Sequence, residues 1–306
     1  MSEAGNSYSL INADAIGKIG CLLIEKISQA AGWVATHDTP NRIAVKQYME
    51  DMRKSDLDPL LKAAKISRTQ RDIKEYCNQA KIISDAIPQL NDTADPSKID
   101  DDWLAKFMDQ IRFISSDELQ AIWSRVLSQE CNEPNSIPLR LVEILSYISV
   151  EQAKTFRQLC QFSVFIYKRS PLRMCHFAPV IPYSKYKRFF KRRKLTYEKL
   201  KDLASIGLVS MTEQQLYLNF NDLNSNYQVL MDNHKYLIEF APNDRLPMGN
   251  ILFTSAGKSL SKIIDTHPPE GFIKLCLDYW SKRQVLLTEV SESPEAKAAG
   301  NTATPN

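Results

Sequence analysis

The chain has 306 residues, enough for two domains with sizeable cores. Its net charge of +3 at pH 7 excludes a strongly basic or strongly acidic protein as a whole. Six scattered cysteines without a CxxC pair predict reduced thiols in a cytoplasmic protein rather than a disulfide framework or a zinc site. We expect no signal peptide, and no membrane span because no uncharged apolar run approaches about 18 residues.

Residues 1–95 are predicted to form amphipathic helices followed by a linker. The first helix runs from about Asp14 to Ala35 and carries an apolar stripe. One interpretation is a helix packed on a neighbour, and the alternative is an interfacial helix that inserts into a membrane. The stretch has few cations, which favours packing. A charged amphipathic helix over 67–87 could pair with a protein partner, or with its own copy in a homodimer.

Residues 96–170 are predicted to form a central helical core, because four amphipathic patterns follow one another between Asp100 and Leu159. Three consecutive aspartates from Asp100 precede the first helix, where carboxylates cap the positive N-terminal end. Capping boxes at 115–118 and 149–152 begin the second and fourth helices. The short loops between them predict antiparallel packing around buried aromatic side chains.

A set of residues in this block also points to a family: Asp102, Trp103, Phe107, Leu119, Gln120, Trp123, Leu127, Glu130, Pro134, Ser136, Leu139, Arg140, Leu145, Ala153 and Phe156. Their order resembles bacterial proteins grouped as domain of unknown function 2806. The likeness continues weakly to about Tyr279. Asn135 stands where those proteins often have Gly, and Pro138 where they often have Ser. Both are loop positions, so the implied fold is unchanged. The family has no established activity, and the resemblance implies no reaction.

Residues 171–284 are predicted to form a basic connector, a winged-helix-like domain and a final helix. The strongest charge feature is 183–201, where nine Lys and Arg oppose Glu198 alone. This segment has a net charge of +8 in a chain whose total is +3, so the remainder carries about −5. The candidate nucleic-acid-binding residues are Lys185, Lys187, Arg188, Lys191, Arg192, Arg193 and Lys194.

Two interpretations of this run stay open. Cations bind phosphates, and the interleaved aromatic rings could stack on bases. The alternative is a solvated helix face with Phe189 and Phe190 packed inward. Anionic lipid or an acidic protein would satisfy the same charges.

The winged-helix-like prediction rests on the order of elements after the basic run. A helix over Tyr197–Ser205 ends at Gly207 and is followed by strands at 216–220, 236–240 and 251–253, and then by a helix after Thr254. Regulators and protein-binding domains both use this architecture. The motif Gly257-Lys258-Ser259 is rejected as a phosphate loop, because Leu252 stands where that loop needs Gly.

The sequence therefore predicts a mainly α fold, with an N-terminal and central helical bundle, a small α+β winged-helix-like domain and a disordered tail over 285–306. No catalytic motif is present, so we expect no enzyme, no cofactor and no metal. The leading hypothesis is a bacterial regulatory or defence-associated protein that binds nucleic-acid backbone, DNA more than RNA. The alternatives are a membrane-acting effector of a phage-defence or stress system, and a protein–protein interaction scaffold.

Overall fold

The computed structural model of the protein describes residues 17–35, 42–169, 172–220 and 227–290. The predicted start of the first helix, the predicted break at 38–40 and the tail from residue 291 lie outside these ranges. The chain divides into two units, Met1–Val150 and Glu151–Asn306. In the described residues the first unit contains helices and no strand, whereas the second combines both. The prediction of a mainly α chain with an α+β part is confirmed.

The first unit contains α1 (Gly17–Ala31), α2 (Arg42–Lys54), α3 (Pro59–Ala86), α4 (Asp101–Ile111), α5 (Asp117–Asn132) and α6 (Leu139–Tyr147). The predicted cap of α4 forms, because the Asp100 carboxylate accepts the N–H of Trp103 at 2.8 Å. The predicted capping box before α5 does not form. Its Ser116 hydroxyl donates to the Glu118 carboxylate at 2.8 Å, and no side chain caps the backbone there.

Aromatic side chains organise the core of the first unit. Trp103 stacks on Phe107 with ring centroids 5.1 Å apart, and Phe107 meets Trp123 edge-on at 5.3 Å. The indole N–H of Trp103 donates to the carbonyl of Ile137 at 3.1 Å, which ties this stack to the loop before α6. The apolar face of α1 is covered by protein as well, since Leu23 and Ile27 are fully buried. This burial favours the packing interpretation of α1.

The loop between α5 and α6 is built on a buried carboxylate. Glu130 is 2% exposed and accepts the N–H groups of Asn135 at 2.6 Å and Ile137 at 2.8 Å. Asn135 has a φ of +67°, in the left-handed region that only Gly and Asn adopt readily. Asn at this position can therefore adopt the same backbone conformation as the Gly that stands there in similar proteins.

The second unit contains five helices and seven strands in its described residues. The helices are α7 (Val150–Cys160), whose first residue still belongs to the first unit, α8 (Tyr183–Arg192), α9 (Tyr197–Ser205), α10 (Ser255–Lys262) and α11 (Phe272–Ser281). The strands are β1 (Ser163–Arg169), β2 (Leu172–Pro179), β3 (Val209–Asn219), β4 (Tyr227–Met231), β5 (His234–Phe240), β6 (Arg245–Phe253) and β7 (Leu286–Glu289). An antiparallel five-stranded sheet has the order β2-β1-β4-β5-β7, and β3 pairs with β6 in a two-stranded sheet.

Two predicted segments have a different structure, and for a third the structure decides between two alternatives. The fourth helix of the predicted core, α7, belongs to the second unit, where Phe156 packs on Phe253 with centroids 5.5 Å apart. For residues 162–167 the sequence left open an extension of the last helix or a buried strand, and the structure forms the strand β1, whose Val164 and Ile166 are fully buried. The tail predicted as disordered from residue 285 begins with β7, which pairs with β5. Local capping signals identify a helix but do not determine which element it packs against.

Candidate nucleic-acid interface

The basic run forms α8 because its aromatic residues share one face that packs inward. Tyr183 and Phe190 are buried, with ring centroids 5.8 Å apart, and Phe162 meets Phe190 edge-on at 5.3 Å. A helix with one face anchored in this way presents its other face to solvent. The inward packing expected of Phe189 and Phe190 is confirmed for the buried Phe190 and for the half-buried Phe189.

The outward face of α8 carries five exposed cations: Lys185, Lys187, Arg188, Lys191 and Arg192. Lys187 precedes Lys191 by four residues, and Arg188 precedes Arg192 by the same spacing, so like charges lie about 6 Å apart along the axis. Such pairs repel each other. Within the described ranges, neither these five nor Lys194 forms an ion pair with a carboxylate. The face therefore has a clear excess of positive charge.

Arg193 differs from the other predicted residues because its guanidinium is used inside the protein. Its Nη2 donates to the carbonyl of Glu270 at 2.5 Å, and its Nη1 donates to the carbonyl of Phe189 at 3.3 Å. The guanidinium also lies 3.8 Å over the Phe189 ring. We therefore separate Arg193 from the exposed cations and assign it a role in holding α8.

The single carboxylate of the run belongs to a helix cap. Hydrogen bonds to its own N–H and to Thr196 lower the pKa of Glu198, and the nearby charges of Lys191 and Lys187 lower it further. The Thr196 hydroxyl accepts the N–H of Lys199 at 3.4 Å at the start of α9. Glu198 thus serves the N-terminus of α9, and its charge offsets part of the positive charge of Lys191 and Lys187 without forming an ion pair with them.

The aromatic residues of the run do not provide a stacking surface. Besides the buried Tyr183 and Phe190, Tyr186 donates its hydroxyl to Asp278 at 2.6 Å, and burial together with this bond raises the pKa of Tyr186 to about 12. Phe189 is covered by Arg193, which leaves Tyr197 as the exposed ring of the run, at 37%. This arrangement suits phosphate binding better than base stacking.

One cation that the sequence did not point to, Lys154, lies beside the run near Glu151 and Lys199. Lys199 donates to the Glu151 carboxylate at 2.5 Å, and this bond lowers the pKa of Glu151, with smaller contributions from the charges of Lys154 and Lys194. Lys154 is an exposed residue of α7 and thus extends the positive surface beyond α8. Nothing in the sequence indicates this, because Lys154 precedes the run by some thirty residues and joins it only through folding.

The remaining motifs have structural explanations. His176 meets Phe220 edge-on with centroids 5.4 Å apart, and burial lowers its pKa. Gly257 lies in α10 against the carbonyl of Leu208, where a Cβ would collide with the oxygen. In the described ranges no three side chains are grouped as metal ligands would be. In the same ranges, no helix has the length and apolar character needed to cross a membrane.

Fold and surface together define a class: a mainly α-helical protein whose α+β unit displays a cationic helix face. A family model described as "Protein of unknown function (DUF2806)" matches residues 64–276, more than half of the 306 residues. The chain therefore belongs to the DUF2806 family, which confirms the resemblance noted in the sequence. No curated protein and no solved structure matches the chain.

Proposed function

We propose that the protein is a non-enzymatic nucleic-acid-binding protein of bacterial regulation or defence that holds the phosphate backbone on the outward face of α8. The observation that carries the proposal is a set of six exposed cations, five on α8 together with Lys194. None of them forms an ion pair with a carboxylate of the described residues. The rest of the chain is net negative, so the charge is concentrated at one place. Concentrated charge of this kind attracts polyanions.

Duplex DNA is the ligand that this surface favours over a single strand. Proteins that bind single strands stack bases on exposed aromatic rings, and most rings of this run are covered. A duplex needs only contacts to its phosphates. If all six cations reach phosphates, the plot of log K against log salt concentration has a slope of about −5.

The order of elements around α8 supports a winged-helix arrangement. After α7, Ile181 forms a β-bridge to Gly249 on β6. The helices α8 and α9 come next in the chain, and β3 then pairs with β6. The β4–β5 hairpin lies between these two strands along the chain, where a winged-helix domain has its wing, but it belongs to the five-stranded sheet and pairs with β1 and β7. In helix-turn-helix proteins the second helix enters the major groove. Here α9 exposes Lys201, Asp202 and Ser205, a set without Arg, Asn or Gln for reading bases.

Duplex binding at several salt concentrations, measured by fluorescence anisotropy, tests the proposal. We expect replacement of Lys187, Lys191 and Arg192 by Ser to reduce the magnitude of the salt slope by about 2.7, because each phosphate contact contributes about 0.9. The matched control replaces three exposed lysines elsewhere, Lys106, Lys262 and Lys274, by Ser and has the same net charge. Equal binding by the two variants would show that α8 is not the interface.

A second candidate function, protein–protein association, is favoured by an uncovered pair of helices in the first unit. Within 43–74 only Met49 is buried, while Ile43 is 79% exposed and Leu60 is 76% exposed. Val45, Tyr48, Met49 and Met52 form an i, i+3, i+4, i+7 stripe on α2, yet Val45 and Tyr48 remain 40% and 50% exposed. Two antiparallel helices cannot enclose a core, whereas two such pairs form a four-helix bundle.

Sedimentation velocity tests homodimer formation through α2 and the first half of α3. We expect concentration-dependent dimers in the wild type and monomers in the Val45→Glu, Tyr48→Glu double variant, because each Glu places a charge in the proposed interface. Replacing the exposed Lys46 and Gln47 by Glu serves as the control on the opposite side of α2. A wild type that stays monomeric at high concentration excludes the homodimer.

A further inference from the structure

A cavity of about 210 Å³ opens on one face of the five-stranded sheet in the second unit. Its principal lining residues are Ser163, Phe165, Phe177, Leu230, Asp232 and His267. None of them belongs to the cationic surface of α8. Ligand pockets for larger molecules enclose about 300–1,000 Å³, so this cavity suits a small ligand.

The sheet register builds the floor of the cavity. Phe165 on β1 pairs with Phe177 on β2 and with Leu230 on β4. Cross-strand partners share a face, and the two phenyl centroids are 4.5 Å apart. The floor is therefore apolar and aromatic across three neighbouring strands.

One end of this floor is polar. Ser163 precedes Phe165 by two residues on β1, so strand alternation places it on the face of Phe165. Asp232 follows the end of β4 in the turn before β5, with a φ of +56°, and it lines the same cavity. The cavity thus combines a hydroxyl and a carboxylate at one end with an apolar floor beside them.

Ser163 has an unsatisfied hydroxyl. The residue is 8% exposed, and its Oγ has no hydrogen-bond partner among the residues that the structure describes. Buried polar groups in proteins almost always have a partner, so an exception calls for an explanation. A ligand group in the cavity that bonds to Ser163 provides one.

The charged groups that line the cavity indicate whether its ligand is a cation or an anion. The lining contains the Asp232 carboxylate and no Lys or Arg. The other titratable groups of the lining are the Cys160 thiol and His267, whose Nδ1 lies 3.7 Å from Asp232 Oδ1 and whose side chain is 91% exposed. An anion would be repelled by the Asp232 carboxylate, whereas a cation would pair with it and with the aromatic faces.

We infer that this cavity binds a small organic ammonium compound. Its ammonium head donates hydrogen bonds to the Asp232 carboxylate and to Ser163 Oγ, and its short apolar or aromatic body lies on Phe165, Phe177 and Leu230. The site is independent of nucleic-acid binding by α8, so either proposal can fail without the other.

Isothermal titration of the full chain with phenethylamine at pH 7 tests the inference, with 3-phenylpropionate as the anion of similar body. We expect saturable binding of the amine and none of the carboxylate, and at least a tenfold loss of affinity in Asp232→Asn. The exposed Asp92, in the first unit, supplies the control variant Asp92→Asn, which should bind as the wild type does. No amine binding up to about 10 mM, or equal binding of both probes, overturns the inference.

Ser163→Ala separates ligand binding from a structural role. Removing an unsatisfied hydroxyl from a buried position raises the melting temperature of the ligand-free protein, because the desolvation cost disappears. The same change weakens amine binding several-fold, because one acceptor for the ammonium is lost. A variant that binds phenethylamine as tightly as the wild type would exclude Ser163 from the site. A drop in melting temperature would show that the hydroxyl has a structural partner.

Discussion

The buried carboxylate of Glu130 permits a prediction in which charge and hydrogen bonding oppose each other. Replacing Glu130 by Gln keeps the shape of the side chain but turns one of its two acceptor oxygens into an NH₂ group that faces a backbone N–H. The N–H groups of Asn135 and Ile137 now share the carboxylate at 2.6 and 2.8 Å. Leaving one of these buried N–H groups without an acceptor costs about 1–3 kcal/mol.

The negative charge of the ionised Glu130 lowers the stability of the folded state, whereas its hydrogen bonds raise it. Burial raises the pKa of Glu130, and its backbone hydrogen bonds only partly offset this rise. A carboxyl whose pKa is raised on folding favours the folded state below the unfolded pKa of about 4.5, and this contribution is lost as the pH rises through the folded pKa. Gln cannot titrate. The difference in free energy of unfolding between wild type and Glu130→Gln should therefore be largest near pH 4 and decrease toward pH 7.

Urea unfolding followed by tryptophan fluorescence at pH 4, 5, 6 and 7 measures this difference, because Trp103 and Trp123 lie in the same core. The exposed Glu133 supplies the control Glu133→Gln, which should show no comparable loss of stability. A wild-type advantage that grows as the pH rises would refute the reasoning, since it would mean that the ionised carboxylate is favoured by folding.

Three further changes probe the second unit. Gly257→Ala should lower the free energy of unfolding by about 1–3 kcal/mol, because the Cβ of the new alanine would collide with the Leu208 carbonyl. Thermal unfolding measures this change, and an unchanged stability would contradict the close contact. Arg193→Ala should destabilise the unit by about 1–2 kcal/mol and leave the salt slope of duplex binding unchanged, whereas a reduced slope would return Arg193 to the interface. Burial lowers the pKa of His176, so stability should fall as the pH drops below about 6.5, and His176→Phe should lose this dependence.

The helices of the first unit and the cationic character of α8 could be predicted from local signals. Three aspartates before Trp103 identify the start of α4, and the alternation of aromatic and basic residues identifies an amphipathic segment. The strands β3, β5 and β6 were predicted in part for the same reason, since their apolar residues alternate. These signals lie within a few residues of one another, which is why a single sequence reveals them.

Other features depend on residues that are distant along the chain. The sequence left open whether Val164 and Ile166 extend the preceding helix or begin a buried strand, because no clear break separates them from that helix. Only pairing with β2 and β4 makes this segment the strand β1. The cavity at Ser163 and Asp232 had no sequence signal at all, because pairing of β1 with β4 brings together segments that are some sixty residues apart in the chain.

The sequence by itself determined the helical content, the family and the presence of a concentrated positive segment, since these depend on local propensity and composition. Only the tertiary structure decided which of the positive residues are exposed. Arg193 and Lys194 are neighbours in the chain, yet Arg193 donates to the carbonyl of Glu270 whereas Lys194 remains exposed. The physical reason is that a side chain is satisfied by partners in three dimensions, and their positions are set by packing and not by sequence distance.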